Sequence, residues 1–198
     1  MKEVNIEHLV DYHLKDFLVA PTLFQQVYEE ITTFAYWVKG FAPHNILEIG
    51  FKGSSFHIMS QLSTGKKVAV DLEDNGRTIW SHYMMYGEDF KLFIADSQTK
   101  ETKNLVRDFC PQYDLIFIDG DHSYEGVKND YEISKNSGRV FVFHDIVNAV
   151  CPGVVQFWNE LKTNYSDIYT FYEFTEQYED VFRDTYQTFL GIGVAIKK

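Results

Sequence analysis

The chain has 198 residues, 45% apolar and 24% charged, which fits one globular domain with a sizeable core and excludes wholesale disorder, collagen and a disulfide-stapled miniprotein. Eighteen basic residues against 29 acidic ones leave a net charge of −11, and no basic run offsets it, so neither nucleic acid nor a membrane is expected as a partner. The first residues, MKEVNIEHLVDYHLKD, carry four acids and no apolar block of signal-peptide length, so export is not expected; no apolar stretch is long enough to span a bilayer, Cys110 and Cys151 show neither framework nor metal spacing, and the expected compartment is the cytoplasm.

Residues 4–18 and 22–39 carry apolar side chains at helical intervals on either side of Ala20–Pro21 and predict two helices that cover a sheet edge or roof a pocket. From His44 to Asp145 one alternation repeats. Short apolar runs at 45–50, 66–72, 90–96, 113–120 and 138–145 are separated by helix-length segments near 54–63, 75–86, 99–109 and 123–136. Near-continuous apolar runs fit strands buried on both faces, and strand–helix alternation predicts a doubly wound, mostly parallel α/β sheet. Beyond Asp145, Pro152 opens a helix, and runs near 168–175 and 188–197 are expected to close the sheet as an antiparallel hairpin. The whole of 1–198 is expected to be one domain, with N-terminal helices over 1–40 and the sheet core over 41–198.

Ligands of open α/β sheets bind outside the carboxyl ends of the strands. Here those ends are Glu48/Gly50, Asp71, Asp96, Asp119 and His144–Asp145, so all five carry an acid. The first strand runs into ILEIGFKGSS, a glycine turn that leads to a helix start with free N–H groups. Neither GxGxxG nor a phosphate P-loop is present. Asp71, about 20 residues further on, is placed to accept hydrogen bonds from two ribose hydroxyls.

The series LEIG, AVDL, IADS, YDLIFIDGDHSYEGVKND and VFHDI resembles the class I S-adenosylmethionine-dependent methyltransferases, in the small-molecule O-methyltransferase branch of catechol-type, macrolide-sugar and cephalosporin-tailoring enzymes. The resemblance covers roughly residues 40–165, and IDGDHSYEGVKND is its most specific part. It implies a Rossmann-like sheet of seven strands, S-adenosyl-L-methionine as cofactor and a small hydroxylated acceptor as partner. Glu48, Gly50, Gly53, Ser54 and Ser55 would hold the methionine part, Asp71 the ribose, Asp96 with Ser97 the adenine, and Asp119 would adjoin the cofactor. In metal-dependent members the positions of Asp119, His144 and Asp145 bind Mg²⁺ and that of His122 supplies the base. His144 stands where an acid is usual, and an imidazole suits Mn²⁺, Fe²⁺ or Zn²⁺ better than Mg²⁺. Gly53 also comes one residue earlier than the second glycine of the family.

The same residues carry plainer readings. His122 would cap the helix starting near Ser123, Asp119 would satisfy loop N–H groups, and His144–Asp145 would be a structural pair. Asp121 and Glu125 read as first-turn acids, and His57 and His82 as packing or surface residues. The tail aromatics, Tyr165, Tyr169, Phe171, Tyr172, Phe174, Tyr178, Phe182, Tyr186 and Phe189, belong to a sheet core, a homo-oligomer interface or an acceptor pocket. A nicotinamide-dependent oxidoreductase and a nucleoside-binding protein without turnover are the competing functions.

Overall fold

The computed structural model describes residues 4–15, 26–51, 53–73, 82–175 and 190–198. Its elements in chain order are α1 (Ile6–Lys15), α2 (Tyr28–Phe41), β1 (Ile46–Ile49), α3 (Ser54–Gln61), β2 (Lys67–Asp71), β3 (Phe90–Ile94), α4 (Lys100–Phe109), β4 (Tyr113–Ile118), α5 (Tyr124–Ser134), β5 (Gly138–His144), α6 (Pro152–Asn164), β6 (Tyr169–Phe174) and β7 (Ile192–Lys197). Of the helix expected over 75–86, residues 82–86 are helical and 74–81 lie outside the described residues, as do Tyr178, Phe182, Tyr186 and Phe189 of the tail.

The strands form a seven-stranded sheet in the order β3-β2-β1-β4-β5-β7-β6. The first five are parallel; β7 is inserted antiparallel between β5 and β6, and the expected hairpin is present. The strand order reverses between β1 and β4, where a doubly wound sheet opens its ligand crevice. Continuous apolar runs are required here because β1, β4 and β5 are covered on both faces. Ile46, Leu115, Phe117, Val140 and Val142 pack under α1, α2 and α3, whereas Leu47, Ile49, Ile116, Phe141 and Phe143 pack under α5 and α6. Each such side chain contributes about 1.5–3 kcal/mol of transfer free energy when fully buried.

The N-terminal helices therefore cover a sheet face. Glu30 on α2 is buried and accepts the Gly191 N–H at 3.0 Å, which ties that layer to the start of β7. His82 is buried against Phe51, Phe56 and Phe90, and His57 is buried against His82 and Tyr86, as packing residues would be. The last parallel strand is shorter than its apolar run: β5 ends at His144, and Asp145 turns away with φ 65°, a left-handed conformation that aspartate tolerates better than most residues. No helix among the described residues is long and apolar enough to cross a membrane.

Candidate active site

Two parallel-strand turns meet at the centre of the crevice. Gly50 has φ 90°, and a Cβ there would run into the carbonyl of Asp119, so a side-chain-free residue lets the turn after β1 pass against the turn after β4. The ladder continues into these turns through Gly50 N–H to Val70 O (2.9 Å) and Asp119 N–H to Ile49 O (2.8 Å). Above them lies a cleft of about 440 Å³ whose walls include Gly50, Asp71, Asp96, Ser97 and Asp119. Five of the residues singled out in the sequence thus share one cavity.

Glu48 and Ser55 sit beside that cleft as a bonded pair. Both are buried, Ser55 Oγ donates to Glu48 Oε1 at 2.9 Å, and Glu48 Oε2 has no hydrogen-bond partner among the described residues. Burial drives the Glu48 carboxyl well above the ordinary range, with Asp119 and Asp71 adding to the rise against the Ser55 bond and His144. Gly53 is buried at φ 107° and precedes α3; the Ser54 side chain lies outside the described residues. Asp71 Oδ1 accepts the Glu73 N–H (2.8 Å) and Asp96 Oδ1 accepts the Gln98 N–H (2.9 Å), so each carboxylate shapes its own turn with one oxygen. Ser97 donates its hydroxyl to Asp130 Oδ1 at 2.7 Å.

At the other end of Asp119 two carboxylates and two imidazoles alternate. Asp119 Oδ1 lies 3.2 Å from His122 Nε2 and 3.3 Å from His144 Nδ1. Asp145 Oδ2 lies 3.6 Å from His122 Nε2 and 3.4 Å from His144 Nδ1, while its Oδ1 accepts from Asn148 Nδ2 at 2.6 Å. The left-handed turn at Asp145 is thus pinned by Asn148. His144 and Asp145 are buried, whereas His122 is 41% exposed. The charges support one another. Burial alone would raise Asp119, yet the charge of His144 and the hydrogen bonds of both rings hold it at about 2. Burial opposes a charged His144, and the two aspartates outweigh it and raise its pKa well above 6.5. The hydrogen bond to Asp119, stronger in effect than burial, raises His122 as well.

His122 does not cap α5. Ser123 does so, its Oγ accepting the Gly126 N–H at 3.0 Å, and Asp121 forms the preceding turn by accepting the Ser123 N–H at 2.9 Å. The remaining ring nitrogen, His122 Nδ1, is 3.3 Å from Cys151 Sγ. Burial, with Asp145 next, pushes that thiol up to about 12, so it is a neutral S–H group. Nothing in the sequence around Cys151 or Asn148 marks either as a site residue, and Gln98 is a neutral amide on the cleft wall beside Asp96–Ser97.

Asp119, His144 and Asp145 bring one ligand atom each within 4.8 Å of one another. Two carboxylate oxygens and an imidazole nitrogen fit Mn²⁺, Fe²⁺ or Zn²⁺ better than Mg²⁺, and a metal there must displace the proton that His144 holds.

Sheet order, cleft position and acid-bearing strand ends together define the Rossmann-like class I methyltransferase fold. A profile described as a methyltransferase domain matches residues 47–146, half of the chain, and the chain belongs to that family. It is similar to the O-methyltransferase TomG from Streptomyces achromogenes, involved in tomaymycin synthesis and solved with SAM, at 16% identity over 100% of this chain and 91% of that one, with a TM-score of 0.68. An O-methyltransferase from Bacillus cereus in complex with SAH is similar at 14% identity, covering 100% and 93% of the two chains, TM-score 0.64. Cofactor-bound Rv0187 from MTB is similar at 12% identity, 96% and 89% coverage, TM-score 0.67. No curated protein matches in sequence.

Proposed function

We propose that the protein transfers a methyl group from S-adenosylmethionine to the hydroxyl oxygen of a small acceptor. The observation that carries this reading is the direct adjacency of the cofactor-sized cleft to the His122–Asp119 pair, with Asp119 belonging to both. When bound, the sulfonium supplies an electrophilic methyl group for in-line displacement; everything else is orientation and proton removal. Glu48 Oε2, buried without a partner among the described residues, receives the ammonium of the methionine part, with Gly50, Gly53, Ser54 and Ser55 forming the surrounding turn. Asp71 receives the ribose hydroxyls on the oxygen not used by Glu73, and Asp96 with Ser97 borders the adenine.

His122 takes the acceptor proton at Nε2. With its Nδ1–H directed at Cys151 Sγ, the neutral ring offers Nε2 as base, and the proton captured there is stabilised by Asp119 and Asp145 at 3.2 and 3.6 Å. Asp119, His144 and Asp145 would hold a divalent ion, of which manganese suits the donor set better than magnesium, and such an ion would lower the pKa of the acceptor hydroxyl. The test is transfer of labelled methyl from S-adenosylmethionine to a panel of catechols and hydroxylated sugars. Transfer that His122→Ala abolishes supports the reading; oxidation or reduction of the panel with NAD, without methyl transfer, overturns it.

A further inference from the structure

Asp130 is a buried acid that the reaction as described does not use. Asp130 lies on the inner face of α5, fully buried, in the helical series Val127, Asp130, Tyr131, Ser134. Among the described residues it has no counter-cation at hydrogen-bond distance. Its Oδ1 accepts the Ser97 hydroxyl at 2.7 Å, and its Oδ2 is buried with no hydrogen-bond partner among the described residues. Burial first, with the nearby Asp121 and Asp96 adding to it, raises its pKa to about 6 against the Ser97 bond. A buried carboxylate is costly, and a single bond to one serine does not offset that cost.

What the carboxylate does is fixed by its one partner. Ser97 lies on the wall of the cleft, between Asp130 and the space above β3 and β4. Oδ2 lies close beneath the same wall, 3.2 Å from the position of a Cβ on Gly120. A serine hydroxyl carries one proton. A carboxylate can only accept, so that proton is committed inward and the lone pairs of Ser97 Oγ are left for the cleft. Without Asp130 the hydroxyl would be free to rotate and to donate instead.

We infer that Asp130 is a positioning residue which, acting through Ser97, presents a fixed hydrogen-bond acceptor to the base of the bound nucleoside and so selects a 6-amino purine over a 6-oxo purine. The inference rests on the cofactor placement proposed above and adds how the base edge is chosen. An amino group donates to a fixed acceptor. A carbonyl in the same place sets lone pair against lone pair, and sites built around such hydrogen bonds discriminate strongly because the mismatch leaves buried groups unpaired.

The test is calorimetric titration of the whole protein with S-adenosylhomocysteine and with its 6-oxo analogue, S-inosylhomocysteine, which needs no turnover. The parent should prefer the amino compound by about tenfold to a hundredfold, as one matched against one mismatched hydrogen bond implies. Asp130→Asn, which keeps an acceptor for Ser97, should retain that preference, whereas Asp130→Leu should reduce it at least about tenfold. In a Ser97→Ala background neither change at 130 should move the preference further, an outcome that a purely structural role for Asp130 does not produce. Ser97→Ala alone reads the same loss if the leucine variant does not fold. An unaltered preference in Asp130→Leu or in Ser97→Ala overturns the inference, while failure of the parent to bind either compound overturns the cofactor placement instead.

Discussion

Replacing His144 by Asn removes the imidazolium from between two buried carboxylates, 3.3 Å from Asp119 and 3.4 Å from Asp145, and leaves them facing each other. Breaking a buried ion pair from one side costs about 3–5 kcal/mol, and an Asn amide that keeps a neutral hydrogen bond puts the expectation near the lower end, about 3 kcal/mol. For a chain of this length that corresponds to a fall in melting temperature of roughly 6–12 °C. The sign of the pH dependence follows from the shifts. His144 has its folded pKa raised, so its contribution is complete below the unfolded histidine value and is lost as pH rises through the folded one. Asp119 has its folded pKa lowered to about 2, so its contribution is complete above its ordinary 3.8 and is lost as pH falls towards 2. The deficit of His144→Asn, measured by urea unfolding with EDTA present, should therefore be largest near neutrality. Towards pH 4 it should shrink as the crowded carboxylates of the variant take up a proton, and in alkali it should shrink as the parent loses its imidazolium. A deficit below about 1 kcal/mol at pH 7, or one that does not change with pH, would refute the buried charge network.

Asp71→Ala should weaken S-adenosylhomocysteine binding by about tenfold or more, since each charge-assisted bond is worth on the order of 1.5–3 kcal/mol. Asp71→Asn, which still caps the Glu73 N–H, should fall between the two, and equal affinities by calorimetry would misplace the ribose. His122→Ala should lose roughly 10²–10⁴-fold in turnover with cofactor affinity kept. In the parent, rate should rise with pH through a value above 6.5, because neutral His122 is the active form and its pKa is raised; a pH-independent rate would exclude it as the base. Metal content measured after dialysis against Mn²⁺ should increase with pH, because the ion competes with the proton on His144, and retention unchanged by His144→Asn would remove that residue from the ligand set.

The sheet was legible in the sequence because strands buried on both faces, such as ILEI and YDLIFI, must be apolar throughout, and parallel connections bring all their carboxyl ends to one edge. The cleft followed from that alone: Gly50, Asp71, Asp96, Ser97 and Asp119 needed no side-chain detail to be gathered. What was not legible depends on long-range packing. Cys151 meets His122 because Gly153, where a Cβ would collide with the backbone of Tyr124, lets the start of α6 lie on the start of α5. The turn at Asp145, which points its carboxylate back at both histidines, is set by Asn148 and by the backbone of Leu190–Gly191. Asp130 did carry a signal, an acid in phase with Val127, Tyr131 and Ser134 on the buried face of a helix, but its partner Ser97 is 33 residues away in the chain.

The central claim is that the cleft at the strand ends is a cofactor site for S-adenosylmethionine. Calorimetric titration of the purified protein with S-adenosylhomocysteine, with NAD as the comparison, tests it without knowledge of the acceptor. The account predicts saturable one-to-one binding of S-adenosylhomocysteine and no heat from NAD; binding of NAD alone, or of neither, would contradict it.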